Sequence, residues 1–189
     1  MHRPASWPGY NWRVKVLLRP ARLNDFEWLW TLDQQCFPPG IAYSRTELAA
    51  YMAARHSFTL IAELESPTGE GPPGENPGLG TPAPRGEARL GFLVAETCRP
   101  GLGHIITIDV TEGVRRFGVG SKLLLAAEKK LRAARCRSVR LEAAADNRAA
   151  LWFYKRHQYD VVKTVPRYYS NGVDAFVLEK NLLSSSSPS

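Results

Sequence analysis

A run of six residues near the middle of the chain combines two arginines with two glycines: Arg115-Arg116-Phe117-Gly118-Val119-Gly120. Residues 104–110 before it predict a strand and residues 120–134 predict an amphipathic helix, so the run lies where a strand leads into a helix. The first turn of a helix has unpaired N–H groups and the positive end of the helix dipole, which attract anions. Glycines let a phosphate approach the backbone, while the arginines and Ser121 add charge and a hydroxyl donor. The run predicts an anion-binding loop; the alternative is a loop that only leads into a helix.

The spacing of the two glycines excludes the commonest nucleotide-binding motifs. Gly118 and Gly120 are not part of a G-x-G-x-x-G pattern, and no G-x-x-x-x-G-K-[ST] run occurs in the chain. Neither the dinucleotide-binding fold nor the P-loop is therefore supported. The loop must serve a different phosphate compound.

Three further segments extend the pattern around this loop. They are Gly103-His104-Ile105 before it, Asp146-Asn147-Arg148-Ala149-Ala150 ahead of Tyr154, and Arg167-Tyr168-Tyr169-Ser170-Asn171-Gly172-Val173-Asp174-Ala175 near the C-terminus. Together with the loop, which matches [QR]-x-x-G-x-[GA], they resemble the Gcn5-related N-acetyltransferase (GNAT) family. Within it the likeness is to the branch that acetylates protein N-termini, including the bacterial ribosomal-protein alanine acetyltransferases. The resemblance covers about residues 13–182.

The resemblance implies acetyl-CoA as co-substrate, with its pyrophosphate on the glycine loop and no metal. It also implies that Ile108, Asp109 and Val110 pair through their backbone with the pantetheine arm, like an added half-strand. Asn147 would face the cofactor arm. The alternative for Asn147 is a purely structural role as the cap of the next helix.

Glu142 and His104 are the candidate bases. Attack on a thioester requires a neutral amine, and a peptide α-amino group with a pKa of roughly 7.7 to 8.0 needs only modest help from a base. Glu142 resembles the family's proton acceptor, and a carboxylate on a central strand needs a purpose. The alternative is an ion pair with Arg140, two residues away on the same strand face. His104, at the acceptor side, is the second candidate, and a structural histidine is its alternative.

Tyr154 is the candidate acid for the departing coenzyme A thiolate, because the family places a tyrosine on this helix. With ordinary pKa values of about 10 for tyrosine and about 8.5 for a thiol, full proton transfer is uphill by roughly 2 kcal/mol. Tyr154 is therefore expected chiefly to hydrogen-bond the developing thiolate. The alternative is a core aromatic beside Phe153.

Two aromatic groups are expected to bind the acceptor. Tyr168 and Tyr169 precede a predicted hairpin and would hold the acceptor backbone, as the resemblance implies; packing alone is the alternative. The loop between the first two predicted helices, which in this family helps to form the acceptor pocket, holds Phe37, Pro38, Ile41 and Tyr43. An apolar pocket there would favour a small or hydrophobic first residue.

The leading interpretation is acetyl transfer from acetyl-CoA to the N-terminal α-amine of a peptide or protein, for example a ribosomal protein. The amine would attack the thioester directly, without a covalent enzyme intermediate. One alternative keeps the chemistry but makes the acceptor a lysine or a small-molecule amine. Another, from a different class, is a non-catalytic acyl-CoA-binding or ribosome-docking module, which would need neither Glu142 nor Tyr154. The chain has no RNA-binding motif beyond its charge, so nucleic acid is not an expected partner.

Composition indicates one globular domain in the cytoplasm. The chain has 189 residues, of which 44% are hydrophobic and 23% charged, and no apolar run approaches the 20 or so residues that span a bilayer. The N-terminus lacks the continuous apolar stretch of a secretory signal. Cys36, Cys98 and Cys136 are widely spaced, without the pairing typical of zinc sites.

The net charge of +7 lies in the second half of the chain. Residues 1–100 hold equal numbers of basic and acidic side chains, whereas residues 101–189 hold 15 basic and 8 acidic ones. A basic segment of this kind would favour the binding of nucleic acid, of an acidic protein surface or of a polyanionic cofactor. A solvated basic surface without a partner is the alternative.

The order of predicted elements gives an α/β fold: a mixed, mostly antiparallel central sheet flanked by helices on both faces, as in the GNAT family. Residues 1–12 are expected to be a flexible extension, 13–183 a single acetyltransferase domain, and 184–189 a disordered tail. Residues 66–86, of which 12 of 21 are Pro or Gly, predict an unstructured insertion in a hairpin. Gln158-Tyr159 stands where many relatives have Gly-Phe.

Overall fold

The computed structural model describes residues 15–65 and 88–183, so the predictions for 1–12, 66–86 and 184–189 lie outside the described residues. The strands are β1 (Val16–Pro20), β2 (Ser57–Leu64), β3 (Arg89–Arg99), β4 (Leu102–Val110), β5 (Ser138–Ala144), β6 (Asp160–Val165) and β7 (Ala175–Asn181). The helices are α1 (Phe26–Cys36), α2 (Arg45–Ala53), α3 (Val119–Ala133) and α4 (Arg148–Arg156). Within the described ranges, no helix is long and apolar enough to cross a bilayer.

The strands form one sheet in the order β1-β2-β3-β4-β5-β7-β6. β4 and β5 run parallel, and the other neighbouring pairs run antiparallel. Hydrophobic cores lie on both faces: α3 and α4 cover the larger one, and α1 and α2 cover the smaller one. The predicted mixed, mostly antiparallel sheet with helices on both faces is confirmed.

The start of α2 has the capping box that its sequence predicts. The backbone N–H of Ser44 donates to Glu47 Oε2 at 2.9 Å, and the N–H of Glu47 donates to Ser44 Oγ at 3.2 Å. These bonds satisfy two N–H groups that a helix start leaves unpaired. The helix ends at Ala53.

The C-terminus of α3 closes with a left-handed residue that the sequence pattern did not predict. Arg135 has φ +64°, and the N–H of Cys136 donates to the carbonyl of Leu131 at 2.9 Å, which is the bond of a Schellman motif. The helix predicted over residues 120–134 runs one residue too far, because α3 ends at Ala133 and Ala134 beyond it is exposed. The buried positions are Val119, Leu123, Leu124, Ala127, Glu128 and Leu131.

The sheet opens between its two parallel strands. β4 and β5 pair at three positions, from Leu102 with Ser138 to His104 with Arg140, and the recorded pairing stops there. On the other side of β4, Val94 pairs with Thr107 and Ala95 with Ile105, so a bulge interrupts the ladder. The bulge re-aims the second half of β4, and its edge facing β5 has no strand partner among the described residues.

Candidate active site

The predicted anion loop lies at the start of α3, at the open end of the sheet. Gly118 occupies the N-cap with φ +83°, and Arg116 before it has φ +68°. The helix has no side-chain cap and no acidic residue in its first turn, so its positive end is not neutralised from within. This geometry is that of an anion site.

The two glycines of the loop differ in backbone conformation and in the space available for a side chain. A Cβ on Gly118 would meet nothing within 4 Å, so only its left-handed backbone favours glycine there. A Cβ on Gly120 would lie 3.5 Å from the ring of Phe153 and 3.6 Å from Val110, which is ordinary contact. Gly118 therefore shapes the loop, whereas the position of Gly120, beside Phe153 of α4 and Val110 of β4, has room for a Cβ.

The Arg115 guanidinium lies against the C-terminus of α1. Its Nε donates to the carbonyl of Val110 at 3.0 Å, and Nη2 donates to Cys36 Sγ at 3.4 Å. Arg115 thus fixes the loop to β4 and α1, and a direct bond to phosphate stays a prediction. The predicted roles of Arg116, Phe117, Val119 and Ser121 also stay predictions; these residues lie on the loop and the first turn of α3.

Residues of the predicted pantetheine strand face different ways. Ile108 and Val110 pack on the α3 side of the sheet, while the Asp109 side chain is buried and accepts a hydrogen bond from Thr107 Oγ1 at 2.9 Å. Asn147 caps α4, with its Oδ1 accepting the N–H of Ala150 at 3.1 Å. The capping alternative for Asn147 is therefore observed, and its contact with a cofactor stays a prediction.

Both candidate bases meet in one hydrogen-bonded pair. His104 Nε2 lies 2.6 Å from Glu142 Oε2, and both side chains are about one-fifth exposed, at 23% and 18%. The ion pair with Arg140 that was the alternative for Glu142 is absent among the described residues. Glu96, which no sequence signal indicated, is opposite His104 on β3, with its Oε1 3.8 Å from His104 Nδ1. The imidazole thus lies between two carboxylates.

Tyr154 is buried beside the rings of Phe153 and Tyr159, with centroids at 5.2 and 5.6 Å. Burial raises the pKa of its phenol, and the negative charges of Asp109 and Tyr169 raise it further. A phenol with a raised pKa is a weaker acid but remains a hydrogen-bond donor. The environment therefore favours hydrogen bonding to a thiolate over full proton transfer.

A contact joins the two loops that hold the predicted acceptor-binding residues. The carbonyl of Gly40, after α1, accepts both the backbone N–H and the hydroxyl of Ser170, each at 3.2 Å. Gly40 has φ +86°, and a Cβ there would lie 2.9 Å from Asn171, so this approach requires glycine. The contact joins the segment before α2 to the segment between β6 and β7.

The predicted acceptor residues lie on these two loops. Tyr168 is half exposed and its ring meets Tyr169 edge-on, with centroids 5.0 Å apart. Tyr43 donates its hydroxyl to the carbonyl of Ile106 at 3.2 Å, so it ties the first loop to β4. Phe37 is partly buried at the end of α1, and the carbonyl of the exposed Pro38 accepts the N–H of Ile41 at 3.1 Å. Their contact with an acceptor stays a prediction.

Two further carboxyl groups, those of Asp33 and Asp109, are buried near each other, and no sequence pattern predicted this arrangement. Burial raises the pKa of Asp33, on α1, to about 6, and that of Asp109, with help from the charge of Asp33, to about 8. In each, the Oδ1 atom is buried without a partner. An aspartate inside the apolar face of α1 was the signal that could have revealed Asp33.

No group of three or more His, Cys, Asp or Glu side chains within 15–65 and 88–183 is placed to hold a metal ion. The chemistry available to the described site is that of an anion loop, an open strand edge, a carboxylate–imidazole pair and a buried phenol. Those parts suit the transfer of an acyl group from a phosphate-bearing cofactor to an acceptor, and the roles of the individual residues stay predictions.

Comparisons with known proteins agree with this class. The model of the acetyltransferase (GNAT) family matches residues 19–159. An N-alpha-acetyltransferase of Sulfurisphaera tokodaii is 35% identical over 164 residues, covering 85% of this chain and 90% of the relative. The chain belongs to the acetyltransferase (GNAT) family, and the predicted acetyl-CoA-dependent N-acetyltransferase chemistry is confirmed.

Solved structures share the fold. The Arabidopsis thaliana NAA60 in complex with acetyl-CoA superposes with a TM-score of 0.72 at 20% identity, covering 90% of this chain and 100% of that one. The ribosomal-protein-S18-alanine N-acetyltransferase from Escherichia coli superposes with a TM-score of 0.68 at 14% identity, covering 93% and 99%. At these identities the likeness supports the architecture.

Proposed function

We propose that this chain transfers the acetyl group of acetyl-CoA to the α-amine of a protein N-terminus, with His104 and Glu142 as the proton-accepting pair. The observation that carries the roles is the 2.6 Å hydrogen bond between these side chains at the point where β4 and β5 begin to separate. A neutral amine entering there attacks the thioester carbon, and its proton passes to the pair. Tyr154 donates a hydrogen bond to the departing thiolate.

The cofactor would lie along the open edge of β4. Its pyrophosphate would meet the N–H groups at the start of α3, and its pantetheine amides would pair with the backbone of residues 108–110. Two observations support this: the first turn of α3 has no acidic residue, and the recorded β4–β5 pairing ends at His104. The polar backbone of an open strand edge needs such partners.

The contact between Gly40 and Ser170 supports a chain terminus as acceptor. It joins the segment before α2 to the segment between β6 and β7, and we expect this bridge to block the passage of an extended chain, which acetylation of an internal lysine would require. A free N-terminus enters from one side only. The three free thiols, one of them exposed, support a reducing compartment such as the cytoplasm.

The test is acetyl transfer to peptides that differ in their first two residues, some with ribosomal-protein N-termini. Coenzyme A release measures turnover, and mass spectrometry locates the added acetyl group. We expect modification of the α-amine, fastest with a small or hydrophobic first residue. Matched peptides with a blocked N-terminus and an internal lysine should remain unmodified; acetylation of that lysine would contradict the proposal.

A further inference from the structure

Six exposed cations lie on the last turns of α3 or on segments at that end of the sheet, whereas the glycine loop lies at the first turn of α3. Gly118 precedes α3 and the cations follow or flank its last turn, so a helix of 15 residues, roughly 22 Å long, separates the two regions. We name this group the basic end; it consists of Arg55, Arg99, Lys129, Arg132, Arg135 and Arg137.

Backbone contacts make the basic end one continuous surface. The N–H of Thr97 donates to the carbonyl of His56 at 3.0 Å, which joins the turn before β2 to the end of β3. The N–H of Arg137 donates to the carbonyl of Gly101 at 2.6 Å, which joins the turn after β3 to the segment after α3. The carbonyl of Arg137 accepts the N–H of Leu182 at 2.7 Å. Elements distant in sequence therefore hold these cations side by side.

The positive charge of this surface is not neutralised from nearby. Residues 48–62, 97–108 and 129–141 contain no acidic side chain. Glu128 is buried and accepts hydrogen bonds from Lys180 Nζ and from Arg132. Among the described residues, no ion pair is recorded for Arg55, Arg99, Lys129, Arg135 or Arg137. A surface of this kind attracts a polyanion.

Arg135 adds an independent observation. Its left-handed backbone, at φ +64° after α3, is a position that glycine fills at lower conformational cost. The chain keeps a long cationic side chain where the fold alone favours glycine.

We propose that the basic end docks on the phosphate backbone of double-helical RNA. The exposed Phe, Trp and Tyr side chains of the described residues, Phe117, Trp152 and Tyr168, lie on other segments, and the aromatic ring exposed beside the basic end is the small imidazole of His56, so the surface has no row of large rings for stacking successive single-stranded bases. The ring of Phe58, which borders it, is covered by Lys130 at 5.4 Å. Arginine-rich surfaces without stacking groups recognise phosphates and groove shape. The choice of RNA over DNA rests on the proposed cytoplasmic function.

The test is fluorescence anisotropy of the purified chain with a labelled 20-base-pair RNA duplex over a series of KCl concentrations. We expect the triple variant Arg99→Gln, Arg135→Gln, Arg137→Gln to raise Kd about tenfold or more and to make the slope of log K against log [KCl] shallower by about 2 to 3. The control triple Lys15→Gln, Arg45→Gln, Lys163→Gln removes the same net charge elsewhere and should retain wild-type binding.

Arg135→Gly separates binding from folding. This substitution relieves the backbone, so we expect Tm to rise by about 2–4 °C while RNA binding weakens. The proposal is overturned if the control triple weakens RNA binding as much as the basic-end triple does, or if poly-glutamate binds the basic end and displaces the RNA equally well. It is also overturned if duplex DNA binds more tightly than duplex RNA, or if the chain binds only anionic vesicles. These assays do not use catalysis, so failure of the proposed acetyl transfer is recognised separately.

Discussion

His104 Nε2 and Glu142 Oε2 lie 2.6 Å apart although 38 residues separate them along the chain. The contact exists because β4 and β5 run parallel, with His104 opposite Arg140 in the last recorded pair before the strands separate. We propose that the imidazole and the carboxylate, joined in this way, share the role of proton acceptor. Assigning the base to one of them alone misses this arrangement.

Glu142→Gln is expected to lower kcat/KM about a hundredfold, because the pair then lacks the carboxylate that stabilises a proton on His104. The rate loss should depend on pH, and the KM for acetyl-CoA should hardly change. Steady-state kinetics over a pH series measure both. Arg140→Gln, on the same strand, is the control; a wild-type pH profile in Glu142→Gln would remove Glu142 from the mechanism.

Glu96→Gln should lower kcat by a smaller factor, about three- to tenfold, because at 3.8 Å from His104 Nδ1 it acts through the imidazole charge and orientation. The effect should vanish in a His104→Asn background, as a double-mutant cycle would reveal. Additive losses in the double variant would show that Glu96 acts independently of His104.

Tyr154→Phe should lower kcat about tenfold to a hundredfold, through loss of a hydrogen bond to the departing thiolate, with little change in acetyl-CoA affinity. Tyr159→Phe is the matched control. Tyr159 is also buried, but it donates to Glu128 at 3.2 Å, so its variant should lose about 1 kcal/mol of stability and no activity. Unchanged turnover in Tyr154→Phe would make Tyr154 a core residue only.

Gly118→Ala and Gly120→Ala should behave differently. Alanine at Gly118 must adopt φ +83°, at a cost of about 1 kcal/mol, and should weaken acetyl-CoA binding because the loop then relaxes. Alanine at Gly120 meets only ordinary contacts and should keep affinity. Calorimetric titration with acetyl-CoA measures both, and equal losses would contradict the separate roles given to the two glycines.

Asp109→Asn should remove a pH-dependent loss of stability. A carboxyl whose folded pKa is raised to about 8 stabilises the fold fully below its ordinary pKa near 4, and this contribution is lost as pH rises through 8. Wild type and variant should therefore unfold alike near pH 4, and the variant should be the more stable protein at pH 9. Thermal unfolding from pH 4 to 9 measures this, and a difference independent of pH would contradict it.

Local patterns predicted much of the fold because they depend on neighbours in sequence. The strand predicted over residues 104–110 lies within β4, and the amphipathic helix predicted over residues 120–134 corresponds to α3. The left-handed conformations of Arg135 and Gln158, at φ +64° and +66°, were not predictable, because both residue types usually avoid them.

The site was predictable in its parts but not in its contacts. The sequence indicated Glu142 and His104 separately, and only the strand register joins them. Glu96 and Asp33 were missed because their importance comes from side chains on other strands, His104 and Asp109. Side-chain neighbours across a sheet depend on register and bulges, which no pattern within one segment reports.

The short pairing between β4 and β5 has a consequence for the stability of the protein in the cell. Three residue pairs of β4 and β5 join the two halves of the sheet there. A bound cofactor that pairs with the open edge of β4, as proposed, would therefore stabilise the folded state. Binding at a hundred times Kd would add about 2.7 kcal/mol to stability, measurable as a rise in Tm with acetyl-CoA. The abundance of the enzyme would then follow the metabolic supply of its own substrate, since unliganded molecules would be degraded first.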